Sequence, residues 1–370
     1  MAGARPRRRQ RFSLLDGQRG LAALIVMLRH CHTTGALLPV TYTAVDFFFL
    51  PSGFVIGYTY EQKLRDQKIT TGRFLRTRFV RLYPMILFGT VFGAIPVFAQ
   101  LILGGYPIGI GSLLGAFFRQ LFLIPSPPLI YDVDSLDSIF PFNMPEWSLF
   151  FEVLPNIAFA MLVFYITPIR LFILAALAAA GLGFATLAHG SMILGVDLQT
   201  LPGGLSRIGY SFTMGLLIHR LYKSQRFQLS SMFSWLLSGI LVALLICPQS
   251  FLLPNEFTFE MFAVVVCFPL LVFLGAHTVN GPRLSAVCDF AGRLSYPLYL
   301  THFPIIFVFN WYIEKHNPHG SVLAALIVLQ FSAVIACAVL ALLCYDEPLR
   351  RAISSRLLPE RFPAKPIQAT

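Results

Sequence analysis

Residues 19–30 read RGLAALIVMLRH, an apolar run with an arginine at its head and a histidine at its foot. Arg19 and His30 lie eleven residues apart, almost three turns at 3.6 residues per turn, so in a helix both side chains leave nearly the same face. The 1.5 Å rise separates them by about 16 Å along the axis, about half the thickness of a bilayer's hydrocarbon core. A cation at the membrane edge stands in line with an imidazole near its middle. Two plainer readings compete: an arginine that snorkels to the headgroups, and a histidine that hydrogen-bonds a neighbouring helix.

The rest of the chain puts this helix in a membrane. Of 370 residues, 56% are hydrophobic and 36 are phenylalanine. Charged residues make up 12%, about half the usual share of a soluble domain. Apolar runs of near-spanning length recur from end to end. They predict an all-α polytopic bundle with ten transmembrane helices, at roughly 19–38, 43–60, 82–103, 147–167, 171–188, 204–221, 232–248, 257–277, 294–313 and 321–344.

Charge sets the orientation. Segments 1–18, 61–81, 168–170, 222–231, 278–293 and 345–370 hold most of the Lys and Arg, including Arg7, Arg8, Arg9, Lys63, Arg65, Arg73, Arg76, Arg78 and Arg81. The opposite loops hold little beyond Arg119 and Lys315, and carry Asp132, Asp134, Asp137, Asp197 and Glu256. Both termini are therefore expected in the cytoplasm. The net charge of +11 belongs to these loops, and no basic-aromatic nucleic-acid module accompanies it, so no nucleic-acid partner is expected.

The six cysteines show no CxxC or other ligand spacing, read as small buried hydrophobes, and imply no metal. The start, MAGARPRRRQRF, precedes an apolar run that Arg29 interrupts, with no small-residue cleavage site after it. It reads as the approach to an uncleaved first span. Segment 111–124, short and carrying Arg119 and Gln120, reads as an interfacial or re-entrant helix on the outer side. The loop 125–145 that follows is either a solvated connector or a surface that meets a substrate. Residues 1–350 form one transmembrane domain, and 351–370 a cytoplasmic tail with a Pro-rich, polar end.

Ionisable groups inside a membrane are expensive unless paired or wet, so each is a functional candidate. The first span carries Asp16, Arg19, Arg29, His30 and His32; the second Asp46; the fourth Glu152; the sixth Arg207; the ninth His302. Arg78 and Arg81, three apart in RTRFVRLYP, share a helix face. Two guanidiniums on one face suit a phosphate-bearing ligand; ordinary cytoplasmic anchoring is the alternative. Glu152 stands three residues before Pro155, where a lost backbone bond is expected to kink the helix and open a polar cavity. Structural pairing with Arg19, Arg29 or Arg207 is the other reading of that carboxylate.

The ordered stretches LDGQRGLAALIVMLRH, VDFFFLPSGFVIG, FLRTRFVRLYP, WSLFFE and LSYPLYLTHFP resemble the motifs of the acyltransferase-3 family of membrane O-acyltransferases, over nearly the whole chain to DEPLRR. The resemblance implies a ten-span bundle that moves an acyl group, often acetyl, from cytoplasmic acyl-CoA to a hydroxyl of a glycan or other extracytoplasmic acceptor, in a bacterial inner membrane. It carries the family's Arg-x10-His motif onto Arg19 and His30, its Arg-x-x-Arg motif onto Arg78 and Arg81, its acidic position after WSL onto Glu152, and its late histidine onto His302. Gln18 stands where leucine is usual, Pro51 replaces an apolar residue before Ser52, and WSLFFEVLPN lacks the usual Phe-Tyr. The soluble esterase-like domain attached to some members of the family is not expected in this sequence.

The expected mechanism follows. Acyl-CoA is a donor substrate rather than a resident cofactor. Its phosphates meet Arg78, Arg81 and Arg19, and its thioester reaches His30. An acceptor hydroxyl, from a glycan or lipid-linked saccharide, arrives from outside. His30 acts as general base or as a transient acyl carrier. Asp46 or Glu152 orients the ring or holds the acceptor, and Ser52, Trp147 and His302 bind substrate. The rival classes are a transporter or flippase of a glycan or small molecule, and a signalling membrane protein without chemistry.

Overall fold

The computed structural model describes residues 12–103, 107–130, 134–225, 227–247 and 256–358. Their regular structure is helical, apart from an isolated parallel bridge between Leu229 and Thr278. Eleven helices follow in order: α1 (Ser13–His30), α2 (Ala44–Ile56), α3 (Thr71–Ile102), α4 (Ile110–Leu121), α5 (Glu146–Leu162), α6 (Pro168–His189), α7 (Leu201–Ser224), α8 (Met232–Ile246), α9 (Phe257–Ala276), α10 (Pro282–His316) and α11 (Gly320–Leu357). A π-helical turn, Gly57–Glu61, extends α2 to Arg65, and further π-helical turns interrupt α9 and α11. The expected tail lies mostly in residues 359–370, and Arg7, Arg8, Arg9 and Asp132 also lie outside the described residues.

Four helices, α3, α6, α9 and α11, are long and apolar enough to cross a membrane, and α8 is a shorter apolar helix. With the large apolar residues exposed on α6, among them Phe172, Leu177, Phe184 and Leu187, they make this a membrane protein, since a chain in water does not present so broad an apolar face. Helices α1, α7 and α10 have 18, 24 and 35 residues, so length does not exclude them. Their polar residues lower the apolar average, and several of these, including Gln18, Arg207, His219 and His302, point inward with no exposed surface.

Helix α1 spans Ser13–His30 rather than the expected 19–38. It begins a turn and a half before Arg19 and ends at His30, where the chain turns back and Thr34 Oγ1 bonds the Leu28 carbonyl. His30 is thus the last residue of a helix that packs most extensively along α10. Gly20 allows that approach: a Cβ there would lie 2.6 Å from the Ala291 Cβ. The α2–α7 contact has the same origin, because a side chain on Gly53 would overlap the Phe212 carbonyl and one on Gly215 the Leu50 carbonyl. Without a hydrophobic drive between helices in lipid, close backbone approach of this kind is what selects partners.

Helix α4 has 12 residues, about 18 Å at 1.5 Å each, too short to span. The loop after it is not a solvated connector. Leu136, Ile139, Phe140 and Phe142 are buried, and the Ile139 amide donates to the Val196 carbonyl at 2.9 Å.

Candidate active site

One end of the bundle gathers the N-terminal turns of α1, the extension of α2, the N-terminal half of α3, the C-terminus of α7, the start of α10 and the end of α11. Between them lies a cavity of about 630 Å³. Seven cations line it, Arg19, Lys63, Arg78, Arg81, Lys223, Arg293 and Arg350, against three carboxylates, Asp16, Glu152 and Asp346. The excess of positive charge arises because every helix end here belongs to a Lys- and Arg-rich segment. Arg78 and Arg81 meet at this cavity as their spacing requires, and Arg19 joins them from α1. Arg19 lies 3.9 Å from Asp16, one turn earlier.

The inner wall holds a contact between three helices. Arg78 Nη2 donates to Glu152 Oε1 at 3.2 Å, and Ser52 Oγ donates to the same oxygen at 3.0 Å. Glu152 therefore pairs with Arg78, and not with the three arginines considered from sequence. Arg78 is 7% exposed, and its buried Nε has no protein partner. Glu152 holds the guanidinium at its Nη2 end. Helices α2 and α5 both continue through their prolines, Pro51 and Pro155. Proline has no N–H, and Asn156 Nδ2 caps the Glu152 carbonyl at 2.6 Å in the next position.

From Arg19 and Glu152 a narrow pocket of about 40 Å³ runs deeper, past Phe48 and Ser148 to Tyr299. Ser148 Oγ donates to the Pro145 carbonyl at 2.9 Å and pairs with the Tyr299 hydroxyl at 2.9 Å. The Tyr299 ring lies 5.9 Å from that of His302, and His302 lies 5.3 Å from His30. His302 is fully buried; its Nδ1–H donates to the Leu298 carbonyl at 3.0 Å, and its Nε2 has no protein partner. That bond assigns the tautomer and leaves Nε2 as the basic nitrogen. His30 is half-buried, and Asn310 Nδ2 donates to its carbonyl at 2.9 Å. It lines neither cavity: the pocket stops at Tyr299, and the His302 ring stands between that wall and His30. His32 faces away and pairs with Glu314 at 3.3 Å.

Two predicted site residues lie elsewhere. Asp46 forms a fully buried ion pair with Arg207, 2.7 Å at its shortest, between α2 and α7. Arg207 also donates to the carbonyls of Leu194 and Tyr42, at 3.1 and 3.0 Å, and lies 5.1 Å from the Trp147 ring centroid. Asp46 and Trp147 thus belong to one cluster that lines neither cavity.

Sequence reading missed two groups. Glu146 is fully buried and accepts from Gln120, Thr90 and Asn143 at 2.9, 2.8 and 3.1 Å. This cluster ties α4 and the folded loop into the bundle; the dense polar residues around WSL were its only trace in the sequence. The second group is the cavity rim. Arg350 pairs with Asp346 at 2.7 Å, Arg293 with Glu347 at 3.1 Å, and the Tyr296 hydroxyl donates to the Leu82 carbonyl at 2.7 Å. The i, i+4 spacing of Asp346 and Arg350 within DEPLRR was the available signal.

A family profile described as an acyltransferase domain matches residues 12–345. Protein 2 in picA locus of Rhizobium radiobacter is 37% identical over 161 residues, which cover 41% of this chain and 82% of that protein. Acyltransferase MdmB of Streptomyces mycarofaciens is 26% identical over 338 residues, 81% of this chain and 80% of its own length. No solved structure matches the chain.

Proposed function

The chain belongs to this acyltransferase family and is a membrane acyltransferase, and we propose that it carries an acyl group, acetyl in the simplest case, from cytoplasmic acyl-CoA to a hydroxyl on the other side of a bacterial inner membrane. The acceptor is a glycan or lipid-linked saccharide. The bundle has ten spans with both termini in the cytoplasm, so the cation-lined cavity opens to the compartment that holds acyl-CoA. The observation that carries this reading is the convergence of Arg19, Arg78 and Arg81 on one cavity whose inner wall continues as a narrow pocket toward the His30–His302 pair.

The donor's phosphates meet the guanidiniums, whose charge-assisted bonds exceed neutral ones in strength. Glu152 holds Arg78 in place through one oxygen, and Ser52 occupies that same oxygen. The pantetheine arm, thin and uncharged, follows the pocket past Ser148. Tyr299 is the ring it displaces to bring the thioester to the histidines. The acceptor oxygen attacks the thioester carbonyl while its proton passes to the imidazole of His30. The C–S bond breaks, and the imidazolium returns the proton to the CoA thiolate. His302 lies beside His30 as a second imidazole, held by Leu298.

The test uses membranes that contain the protein, supplied with acetyl-CoA labelled in its acetyl group. Label is counted in the polysaccharide and lipid fractions while thiol release is followed. Transfer lost in His30→Ala at unchanged protein level supports the reading. No thiol release and no label in either fraction with the native protein refutes it.

A further inference from the structure

Beside the cationic cavity lies a second, of about 590 Å³, at the same end of the bundle. Lys223 lines both, and the edge-packed rings of Phe12, Tyr58 and Tyr222 form the wall between them. The second cavity differs in chemistry. Among the described residues of its lining Lys223 carries the one charge, and the polar groups are amides, hydroxyls and one imidazole. Those amides, hydroxyls and the imidazole are the hydrogen-bonding groups a heterocyclic base needs.

Aromatic geometry narrows the ligand further. Phe227 and His277 stack face to face, with centroids 4.1 Å apart and planes 3° from parallel. His277 covers one face of Phe227, yet the residue remains 38% exposed. Its open face is a platform on the cavity wall. His277 itself is 3% exposed; its Nδ1–H is taken by the Phe273 carbonyl at 2.8 Å, and its Nε2 has no protein partner. That nitrogen is a buried acceptor that lacks a donor, on a residue that lines the same cavity as the exposed Gln225 and Gln228. A flat ring that stacks on Phe227, donates an exocyclic amine to an acceptor and accepts from an amide is an aminopurine.

We infer that this second cavity is an adenosine subsite, which holds the nucleoside end of the donor while the phosphates cross Lys223 into the cationic cavity. The inference rests on the acyl-CoA reading above and adds where the nucleotide sits. It divides the donor among three chemically distinct walls: base on Phe227, phosphates on arginines, pantetheine in the narrow pocket.

The test measures binding to the full chain in detergent, with CoA and with 4′-phosphopantetheine, for the native protein and for Phe227→Ala and Gln228→Ala. Both substituted side chains are exposed, so neither change opens a core. The native protein is expected to bind CoA at least tenfold more tightly than phosphopantetheine. Phe227→Ala is expected to raise the Kd for CoA about tenfold, the scale of one lost base–aromatic stack, and to leave that for phosphopantetheine within twofold. Equal affinity of the native protein for the two probes overturns the subsite. So does a CoA advantage that both variants retain, which places the base elsewhere. If the native protein binds neither probe and transfers no label from acetyl-CoA, the donor reading itself fails, and the subsite with it. Transfer without a nucleotide advantage rejects the subsite alone.

Discussion

Replacing Asp46 separates a structural role from a catalytic one. As an ionisable group within an apolar span, Asp46 is expected from sequence to orient the His30 ring or hold the acceptor; the tertiary structure seals it against Arg207 with neither side chain exposed. Removing one partner of a buried pair leaves the other charge uncompensated, at a cost of about 3–5 kcal/mol. Here Arg207 would retain its bonds to the Leu194 and Tyr42 carbonyls, which places Asp46→Ala near the lower end. At about 1.4 kcal/mol per decade, 3 kcal/mol shifts the unfolding equilibrium by roughly 10²-fold. The paired change Asp46→Leu with Arg207→Met removes both charges and should recover most of that loss. Heating the detergent-solubilised variants and measuring the monodisperse fraction gives the stability order: native, then double variant, then Asp46→Ala. Acyl transfer per folded molecule should be unchanged within threefold in the double variant, since the pair lines neither cavity. A double variant that is stable yet at least 10²-fold slower would refute the argument and return Asp46 to the chemistry.

Other expectations concern different links in the chain. Gln18→Leu should stabilise the protein by about 1–3 kcal/mol, because both amide atoms of this fully buried side chain lack a protein partner; an unchanged or lower unfolding temperature counts against it. Arg81→Ala should weaken CoA binding about tenfold or more, and the native affinity should fall as salt rises; a salt-independent Kd speaks against phosphate contacts. His30→Ala should lower kcat at least 10²-fold with the donor Kd unchanged, since His30 lies beyond the donor's cavity; a weaker donor Kd with kcat preserved reverses that assignment. Gly20→Val should destabilise by about 1–3 kcal/mol or more through overlap with Ala291, read as loss of monodisperse protein; an undisturbed variant would show that α1 and α10 have room to separate.

The sequence by itself determined the class of molecule. Apolar runs that recur between basic segments leave a membrane bundle as the outcome, because nothing else hides that much hydrocarbon. Helical period alone put Arg78 and Arg81 on one face, and both do reach one cavity. The short segment 111–124 declared itself by length. Which groups meet across the bundle was decided only in three dimensions. Glu152 faces Arg78 and not Arg19, Asp46 finds Arg207, and His30 meets His302 from 272 positions further along the chain. Each residue along a helix turns its side chain by about 100°, so a partner is set by how helices are rotated and crossed. Those rotations come from backbone approaches at Gly20, Gly53 and Gly215, where a Cβ would collide with the neighbouring helix. The stacked wall of Phe227 and His277 has the same origin: a loop and a helix end meet there, and nothing local in either sequence marks the other as its neighbour.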